Sequence, residues 1–468
     1  MAPLPKAFRM QKFDAIVIGS GQGGNPLAKK MAEKGWKTAI VEQRYLGGTC
    51  INDGCTPTKA MIACAKVAHT VFHSKLWGIH SHGLTVDLPF IVARKNNIVE
   101  QFRQGTAKGL QTEGVTVFIG SAAFTDNKTI KVTGHKGDEN ILTADHIFIN
   151  TGTTPNIPPI PGLTDVPYLT STTILDEVVI PKSLIILGGS YIALEMGQLY
   201  KRLGSAVTII ETAPQLVAKE DPDVAAVIKK MLESEDLLVY TDTQTERISK
   251  TGKTIHVDIV TDTNRETLTA THILVATGRR PQTPALQLRH TNILTDEKGY
   301  IQVNDRLETS EPGVYAIGDV KGGPAFTHIS YNDHLIIYKN LFENATLSAK
   351  SRQVPYCMFT DPQLGRIGMT EKEALKEGIP FKVACLNMDK VARAIETGQT
   401  RGFMKALVHE HTNAILGAAI IGPEGGEIMS LLQMAMLGGI TASQLREMVF
   451  AHPLYAESLN NLFMTLEK

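Results

Sequence analysis

The sequence predicts an α/β protein in which one βαβ unit occurs twice, followed by a C-terminal α+β domain. Three observations support this. The chain has 468 residues, enough for two to four domains. A glycine-rich loop between an apolar strand and a helix occurs twice, and from about residue 351 the pattern becomes a mixture of strands and helices without such a loop.

The first unit begins with the apolar strand Ala15–Ile18, which runs into the loop Gly19–Gly24 and then a helix rich in Ala, Lys and Glu. A second strand, Lys37–Val41, ends in Glu42. This order is typical of a dinucleotide-binding βαβ unit of Rossmann type, in which the acidic residue binds a ribose hydroxyl.

The second unit repeats this arrangement 169 residues later. The strand Leu184–Leu187 precedes the loop Gly188–Ala193, and Ala206–Ile210 ends in Glu211. In each unit the glutamate lies 23 positions after the first loop glycine, and two unrelated loops have no reason to share that spacing.

In such a loop the first glycine allows a tight turn, the second lets the backbone approach a pyrophosphate, and the third packs helix on strand. The second copy has a serine at the middle position, whose side chain would crowd a pyrophosphate or donate to it. The loop residues that this pattern predicts to bind a nucleotide are Gly19, Gly21, Gly24, Gly188 and Ser190.

A second internal repeat in the sequence indicates the order of the domains. The segments 144–152 and 270–278 are both apolar strands of buried parallel type ending in Thr-Gly. A Pro-rich stretch follows each, which indicates that the chain crosses between domains, and 313–319 reads as a strand that returns the chain to the first domain. The second unit is therefore predicted to be inserted in the first, with domain ranges 1–153 plus 280–350, 154–279 and 351–468.

Composition excludes several classes of function. Lys plus Arg and Asp plus Glu are both 47, and no long run of one sign is present, so nucleic acid and anionic membranes are not expected partners. No apolar run approaches the length of a membrane span. The first thirteen residues lack the apolar core of a signal peptide, so we expect a cytoplasmic protein.

Two of the five cysteines, Cys50 and Cys55, precede the helical run 60–69. Their spacing allows a small disulfide ring, and a helix N-terminus stabilises a thiolate at the inner cysteine, so we interpret them as a redox pair. The alternative is half of a metal site, which needs two further ligands that no nearby motif supplies; no metal site is predicted. His69, His73, His80 and His82 fit no motif, and we interpret them as surface or satisfied polar residues.

The motifs of this chain are both glycine-rich loops, the block Gly47–Lys59, Thr277–Pro281, Gly318–Asp319, and His452-Pro453 with Glu457. With these motifs the sequence resembles the flavin-dependent class I pyridine nucleotide-disulfide oxidoreductases. This family contains dihydrolipoamide dehydrogenase, glutathione reductase and mercuric reductase. The resemblance covers nearly the whole chain. It implies an FAD-binding domain, an inserted NAD(P)H-binding domain and a C-terminal dimerisation domain.

The resemblance also implies the ligands of both nucleotides. FAD would be bound by Gly19, Gly21, Gly24, Glu42, Gly48, Thr49, Lys59, Thr151, Gly152, Gly318 and Asp319. The nicotinamide nucleotide would be bound by Gly188, Ser190, Tyr191, Ile192, Glu211 and Gly278.

The implied reaction passes hydride from NADH to FAD, then electrons to a Cys50–Cys55 disulfide, and then to an acceptor. Cys55 would lie against the flavin and Cys50 would attack the acceptor. Lys59 would sit beside the flavin, paired with Glu195. A base for thiol exchange would be His452 with Glu457, contributed by the partner subunit of a homodimer.

The sequence departs from its relatives at informative places. Glu211 repels a 2′-phosphate and no Arg follows it closely, so we expect NADH to be preferred, with NADPH possible through Lys219 or Arg247. No cysteine follows Cys385, so the C-terminal cysteine pair of mercuric reductase is missing. We also expect no N-terminal metal-capture module before the FAD strand, and this expectation argues against standard mercury detoxification.

Leu454 and Ala456 replace the Thr and Ser usual after the catalytic His-Pro, which weakens the case for lipoamide as substrate. Short segments, among them 326–330, look more like the mercuric-reductase-like subgroup that includes the reactive-chlorine-resistance flavoprotein, a relative that reduces Cu²⁺ with NADH. We expect the acceptor to be a metal ion such as Cu²⁺ or Hg²⁺, or a small disulfide. The alternatives are a dihydrolipoamide dehydrogenase and, from another class, a non-catalytic flavin redox sensor.

Overall fold

The protein is described by a computed structural model that covers residues 10–262 and 264–467. Residues 1–9, 263 and 468 lie outside the described residues, as does most of the N-terminal stretch on which the expected cytoplasmic location depends. Among the described residues, no helix combines the length and the apolar character needed to cross a bilayer.

The described residues form twenty-one strands and twelve α-helices. In chain order the strands are β1 Met10–Ile18, β2 Thr38–Glu42, β3 Thr116–Asp126, β4 Thr129–Gly134, β5 Glu139–Ile149, β6 Thr153–Pro155, β7 Tyr168–Thr170, β8 Ser183–Leu187, β9 Ala206–Ile210, β10 Leu238–Tyr240, β11 Gln244–Thr251, β12 Thr254–Val260, β13 Arg265–Ala270, β14 His272–Val275, β15 Arg279–Pro281, β16 Val314–Ala316, β17 Tyr356–Met358, β18 Gln363–Gly368, β19 Phe381–Asn387, β20 Phe403–His409 and β21 Ile415–Gly422.

The helices are α1 Gly24–Glu33, α2 Gly48–Asn52, α3 Cys55–Phe72, α4 Leu88–Thr112, α5 Tyr191–Leu203, α6 Pro222–Glu233, α7 Thr327–Phe342, α8 Glu371–Glu377, α9 Ala392–Glu396, α10 Gly425–Leu437, α11 Ala442–Glu447 and α12 Ser458–Met464. Short 3₁₀ turns connect several of them, including Ser74–Trp77 after α3 and Gly318–Lys321 after β16.

The chain divides into two compact units. Of the described residues, unit 1 comprises 10–60, 92–156 and 278–352, and unit 2 comprises 61–91, 157–262, 264–277 and 353–467. The three domain ranges drawn from the sequence remain predictions.

Unit 1 is built on a parallel sheet in which β1 lies between β2 and β5, with β3 beyond β2 and β16 beyond β5. The central residues Ile16 and Val17 are fully buried, because α1 and neighbouring segments cover the sheet. Parallel strands buried on both faces read as continuous apolar runs. The second half of β3 and the first residues of β5 each pair antiparallel with β4.

Unit 2 contains a second parallel sheet, ordered β10-β9-β8-β14-β7, with β8 in the place that β1 has in unit 1. Beside it are an antiparallel sheet of β11 to β13 and a five-stranded antiparallel sheet, β17-β18-β21-β20-β19. Helices α10 and α12 cover the last sheet through Leu432 and Leu462, both fully buried. Two parallel βαβ sheets and a C-terminal α+β region are therefore present, as the sequence predicts.

Candidate active site

The first glycine-rich loop turns sharply where β1 ends. Gly19 has a φ of 101°, and a Cβ there would lie 2.3 Å from the carbonyl oxygen of Asn150, so only glycine fits. Helix α1 then starts at Gly24; its N-cap residue Gly23 has no side chain to cap it, and its first turn contains no acidic residue. Such an N-terminus is suited to bind a phosphate.

A second loop closes against the first. A Cβ on Gly48 would lie only 2.6 Å from the Cα of Gly21, so the backbone of the segment leading to Cys50 passes directly over the glycine-rich loop. The predicted redox segment and the predicted FAD loop are thus neighbours within unit 1.

Glu42, the last residue of β2, holds these two loops together by hydrogen bonds. Its Oε2 accepts hydrogen bonds from the Ser20 amide at 3.0 Å and the Ser20 hydroxyl at 2.7 Å, and its Oε1 accepts from the Arg44 amide at 2.9 Å. The Ser20 hydroxyl in turn accepts from the Gly47 amide at 3.0 Å. One buried serine therefore connects the glycine-rich loop, the acidic residue and the segment before Cys50.

The second copy repeats the geometry in unit 2. Gly188 has a φ of 107°. Glu211 accepts from the amides of Gly189 and Ala213, which are the positions equivalent to Ser20 and Arg44. The internal repeat seen in the sequence is therefore a repeat of hydrogen bonds, with Ser190 exposed at the N-cap of α5 and its side chain making no capping bond.

Asp319 follows β16, which is parallel to β5, so it lies at the same carboxyl edge of the first sheet as the glycine-rich loop. Its Oδ2 accepts from the Thr153 hydroxyl at 3.1 Å, and that hydroxyl accepts from Arg279 Nε at 2.8 Å. Burial raises the pKa of Asp319, while Arg279 and the Thr153 hydrogen bond counter the rise. The Gly318 amide is held at 2.8 Å by Asp333, which is fully buried.

The residues of unit 1 fit a bound FAD. The side-chain oxygens Oδ1 of Asn25, in the first turn of α1, and Oγ1 of Thr151 are buried and have no hydrogen-bond partner among the described atoms. Buried polar atoms without a partner are costly, and a polar ligand between the glycine loops and Thr151 would satisfy them.

Cys50 and Cys55 are present as thiols, and a hydrogen bond joins them. Helix α3 begins at Cys55, whose Sγ lies 3.4 Å from the Thr327 hydroxyl at the start of α7. The hydrogen bond with Cys55 raises the pKa of the Cys50 thiol, and burial raises it further, whereas Thr327 and Lys59 act in the opposite direction.

His452 and Glu457 form the predicted dyad in unit 2. The histidine Nδ1 lies 2.9 Å and 3.0 Å from the two carboxylate oxygens. An ionised carboxylate only accepts, so Nδ1 carries the proton and Nε2 is the ring nitrogen left to take one. The His452 side chain is 67% exposed, which leaves it accessible to another molecule.

Other predicted site residues are placed as follows. Lys59 lies half-buried in the first turns of α3, and Glu195 is buried in α5, where it accepts from the Phe359 amide at 2.8 Å. Their proposed pairing stays a prediction. Thr49 is exposed in α2, and Gly152 follows β5. Tyr191 and Ile192 are half-buried at the start of α5. The carbonyl oxygen of Gly278 accepts from the Asn156 amide.

Sequence reasoning missed three residues that shape unit 1. Asn150 accepts from the Gly24 amide at 2.8 Å and donates to the Ile317 carbonyl at 3.0 Å, which joins the glycine-rich loop to the end of β16. Ser20 and Thr327 are the others. Asn150 directly precedes the Thr-Gly motif, and Thr327 lies in the segment 326–330, which resembles one subgroup of the family. The sequence therefore pointed to both segments, but it did not show which residues these two side chains contact.

Comparison with known proteins identifies the family. The pattern of the pyridine nucleotide-disulphide oxidoreductases matches residues 13–333, and that of the dimerisation domain of the same family matches residues 354–463. The chain belongs to this family. It is therefore a flavoprotein oxidoreductase, its family uses FAD and a pyridine nucleotide, and the dimerisation domain suggests a homodimer.

Relatives with three different names match nearly the whole chain. The probable pyridine nucleotide-disulfide oxidoreductase RclA of Escherichia coli is 35% identical, covering 97% of this chain and 99% of its own length. A Thermus scotoductus dihydrolipoyl dehydrogenase is 35% identical with 98% of both chains covered. A mercuric reductase of Staphylococcus aureus is 32% identical, with 97% of this chain and 83% of that protein covered.

Solved structures include the Cu(II) complex of the HOCl-induced flavoprotein disulfide reductase RclA from Escherichia coli. It has a TM-score of 0.89 and 34% identity, and covers 97% of this chain and 99% of that one. The fold class predicted from the sequence is confirmed by this match and by the family patterns.

Proposed function

We propose that this chain is an FAD-dependent NADH oxidoreductase that passes electrons through the Cys50–Cys55 pair to a metal ion such as Cu²⁺ or Hg²⁺, or to a small disulfide. The observation that carries the proposal is the hydrogen-bonded pair of thiols formed by Cys50 in α2 and Cys55 at the start of α3. It lies in the same unit as the glycine-rich loop, to which the segment before Cys50 is bonded through Ser20.

The residues that would hold FAD are the two close loops, Glu42, Thr151 and Asp319. When bound, FAD supplies a two-electron relay between a nicotinamide and a disulfide. The chain contributes the α1 N-terminus for the pyrophosphate and the Glu42 carboxylate, whose remaining lone pairs can accept from a ribose hydroxyl.

The two cysteines have different tasks in this proposal. Because the pKa of Cys50 is raised by its bond to Cys55 and by burial, a first negative charge is more stable on Cys55 and Cys50 keeps its proton. Cys50 therefore needs a base before it can attack. His452, held by Glu457 with Nε2 available, is the candidate base, and the family resemblance implies that it comes from the partner subunit.

The electron count closes for either acceptor. With a disulfide, the Cys50 thiolate attacks one sulfur and releases one thiol. The Cys55 thiolate then attacks Cys50, re-forms the intramolecular disulfide and releases the second thiol. With Cu²⁺, oxidation of the dithiol to the disulfide releases two electrons and two protons and reduces two ions to Cu⁺.

NADH is the preferred donor in this proposal. Glu211 is an anion held by two backbone amides, so a 2′-phosphate placed beside it would be repelled. NADPH would need a compensating cation such as Lys219 or Arg247.

Cu²⁺ is the first acceptor to test, since the relative with a Cu(II) complex matches along its full length. Dihydrolipoamide dehydrogenase is the second candidate because a relative of that name is equally identical. A non-catalytic redox sensor is the alternative of another class. The exposed His452–Glu457 dyad argues against it, since a sensor needs no base.

The test is an anaerobic titration of the purified flavoprotein with NADH or NADPH, followed by Cu²⁺, Hg²⁺, lipoamide or glutathione disulfide. We expect a long-wavelength charge-transfer absorption after two electrons, and reoxidation by the true acceptor. Cys50→Ser should keep flavin reduction and lose acceptor turnover, while Cys385→Ser, at an exposed cysteine on β19, serves as the matched control.

Different results would lead to different conclusions. Full acceptor turnover in Cys50→Ser would refute the disulfide route. Rapid lipoamide turnover in both directions with no Cu²⁺ reduction would favour the dehydrogenase. Absence of turnover with every acceptor would favour the sensor.

A further inference from the structure

Two histidines come together at the C-terminal end of α3. His69 lies in the last turn of the helix and His73 just beyond it, and their ring centroids are 4.2 Å apart. Both side chains are partly exposed. Two histidines four residues apart on one helix face are a recurrent arrangement for binding a transition metal.

Hydrogen bonding leaves a metal-binding nitrogen available on His73. Its Nδ1 lies 2.9 Å from the His69 carbonyl oxygen. A carbonyl only accepts, so Nδ1 carries the proton, and in the neutral ring Nε2 keeps its lone pair. Metal-ligating histidines commonly donate their other N–H to a carbonyl in this way, because that bond fixes tautomer and ring orientation.

The cations near His69 are balanced by a carboxylate. The charges of Arg202 and Arg401 act on His69, and both side chains form ion pairs with Glu235, at 2.7 Å and 2.8 Å. The negative end of the α3 dipole also favours a cation at this terminus.

We propose that His69 and His73 bind one divalent late transition-metal ion, of the class Cu²⁺, Ni²⁺ or Zn²⁺, with water in the remaining positions. Imidazole is a preferred ligand for these ions. This site is separate from the Cys50–Cys55 pair and does not depend on the proposed electron acceptor.

The acidic cluster elsewhere in the described residues is not a competing site. Asp221, Asp223 and Glu371 bring three carboxylates together, but the buried ammonium of Lys405 forms ion pairs with all three. An internal cation already occupies the position that a metal would need.

A second histidine pair gives a matched control. His409 and His411 have ring centroids 5.8 Å apart, but His409 Nδ1 accepts from the amides of His411 and Thr412. Its proton is therefore on Nε2 in the neutral ring, and no lone pair faces outward. This pair should not bind the metal in the same way.

The test is calorimetric titration of the FAD-loaded protein with Ni²⁺. All variants carry Cys50→Ser and Cys55→Ser, so that the redox thiols contribute nothing. We expect one ion per chain, an affinity reduced about tenfold or more in His69→Gln and His73→Asn, and an unchanged affinity in His411→Asn. The amide of an Asn at position 73 can still donate to the His69 carbonyl oxygen. A loss of Ni²⁺ binding in His73→Asn is therefore not caused by unfolding of the C-terminal end of α3.

Unchanged Ni²⁺ affinity in His73→Asn, or no saturable binding in the parent protein, would overturn the proposal. If a variant fails to fold, the parent protein can be tested instead. Bound Ni²⁺ should protect His69 and His73 from an acylating reagent, and mass spectrometry measures the extent of modification. Equal modification with and without the ion would refute the site.

Discussion

Replacement of Ser20 by alanine tests whether one hydroxyl holds the first nucleotide loop in shape. Ser20 is fully buried. Its hydroxyl donates to Glu42 at 2.7 Å and accepts from the Gly47 amide at 3.0 Å. Ser20→Ala removes a bond to a charged acceptor, worth about 1.5–3 kcal/mol, and leaves a buried amide without a partner at a cost of about 1–3 kcal/mol.

Both losses come from one hydroxyl, so they are not additive. A combined cost of about 2–4 kcal/mol is expected. If about 2 kcal/mol of it appears in cofactor binding, FAD affinity falls about 30-fold, since about 1.4 kcal/mol corresponds to a factor of ten. The measurement is the FAD dissociation constant, from the fluorescence of FAD released during ultrafiltration.

Ser430→Ala is the matched control, because the Ser430 hydroxyl donates only to a carbonyl one turn earlier in α10. It should leave FAD affinity unchanged. FAD affinity within twofold of wild type in Ser20→Ala would refute the reasoning, because it would mean that the loop keeps its shape without the hydroxyl.

Three further predictions use the same structure. Glu211→Gln turns an amide group toward two backbone N–H donors, so the KM for NADH should rise about 5-fold or more while bound FAD is unchanged; an unaltered KM in steady-state assays would contradict this. Thr327→Val removes the hydroxyl 3.4 Å from Cys55 Sγ and a contact that lowers the pKa of Cys50, so the rise of the acceptor-reduction rate with pH should move to higher pH, with stopped-flow flavin reduction by NADH as the control that stays constant. Burial lowers the pKa of His334 to about 4, below its ordinary 6.5, so the unfolded state binds a proton first and stability falls as pH drops from 6.5 toward 4, by at most about 3 kcal/mol; unfolding midpoints of His334→Gln should depend less on pH over that range, and identical pH dependence would show that another group is responsible.

The features predictable from the sequence are those fixed by local sterics and spacing. Gly19 and Gly188 must be glycine because of their backbone angles and the carbonyl behind them, and a buried parallel strand leaves a continuous apolar run. These constraints act over a few residues and leave a pattern in the sequence. Their consequences, two parallel sheets and a glutamate at the end of the second strand of each unit, followed correctly.

The contacts that the sequence did not predict join distant segments. Asn150 binds the Gly24 amide across 126 residues, and Thr327 reaches Cys55 across 272. A single polar residue at a strand end or helix start has many possible partners, and only the packed fold selects one. Ser20 was inside a recognised motif, but its hydroxyl joins Glu42 to the Gly47 amide, and only the packed fold brings those two groups together.

The two βαβ units have the same backbone arrangement, but they differ in the number of side-chain hydrogen bonds that hold their loops in place. Unit 1 adds the Ser20 hydroxyl and the Asn150 side chain to the common bonds, whereas the equivalent residues in unit 2 are Gly189 and Ala276, which have no polar side chain. A loop that is already ordered loses less entropy when a ligand binds, so the same ligand is held more tightly. That difference suits a resident FAD in the first unit and an exchanging nicotinamide in the second, and it explains why removal of one hydroxyl at position 20 should affect FAD retention and leave the KM for NADH unchanged.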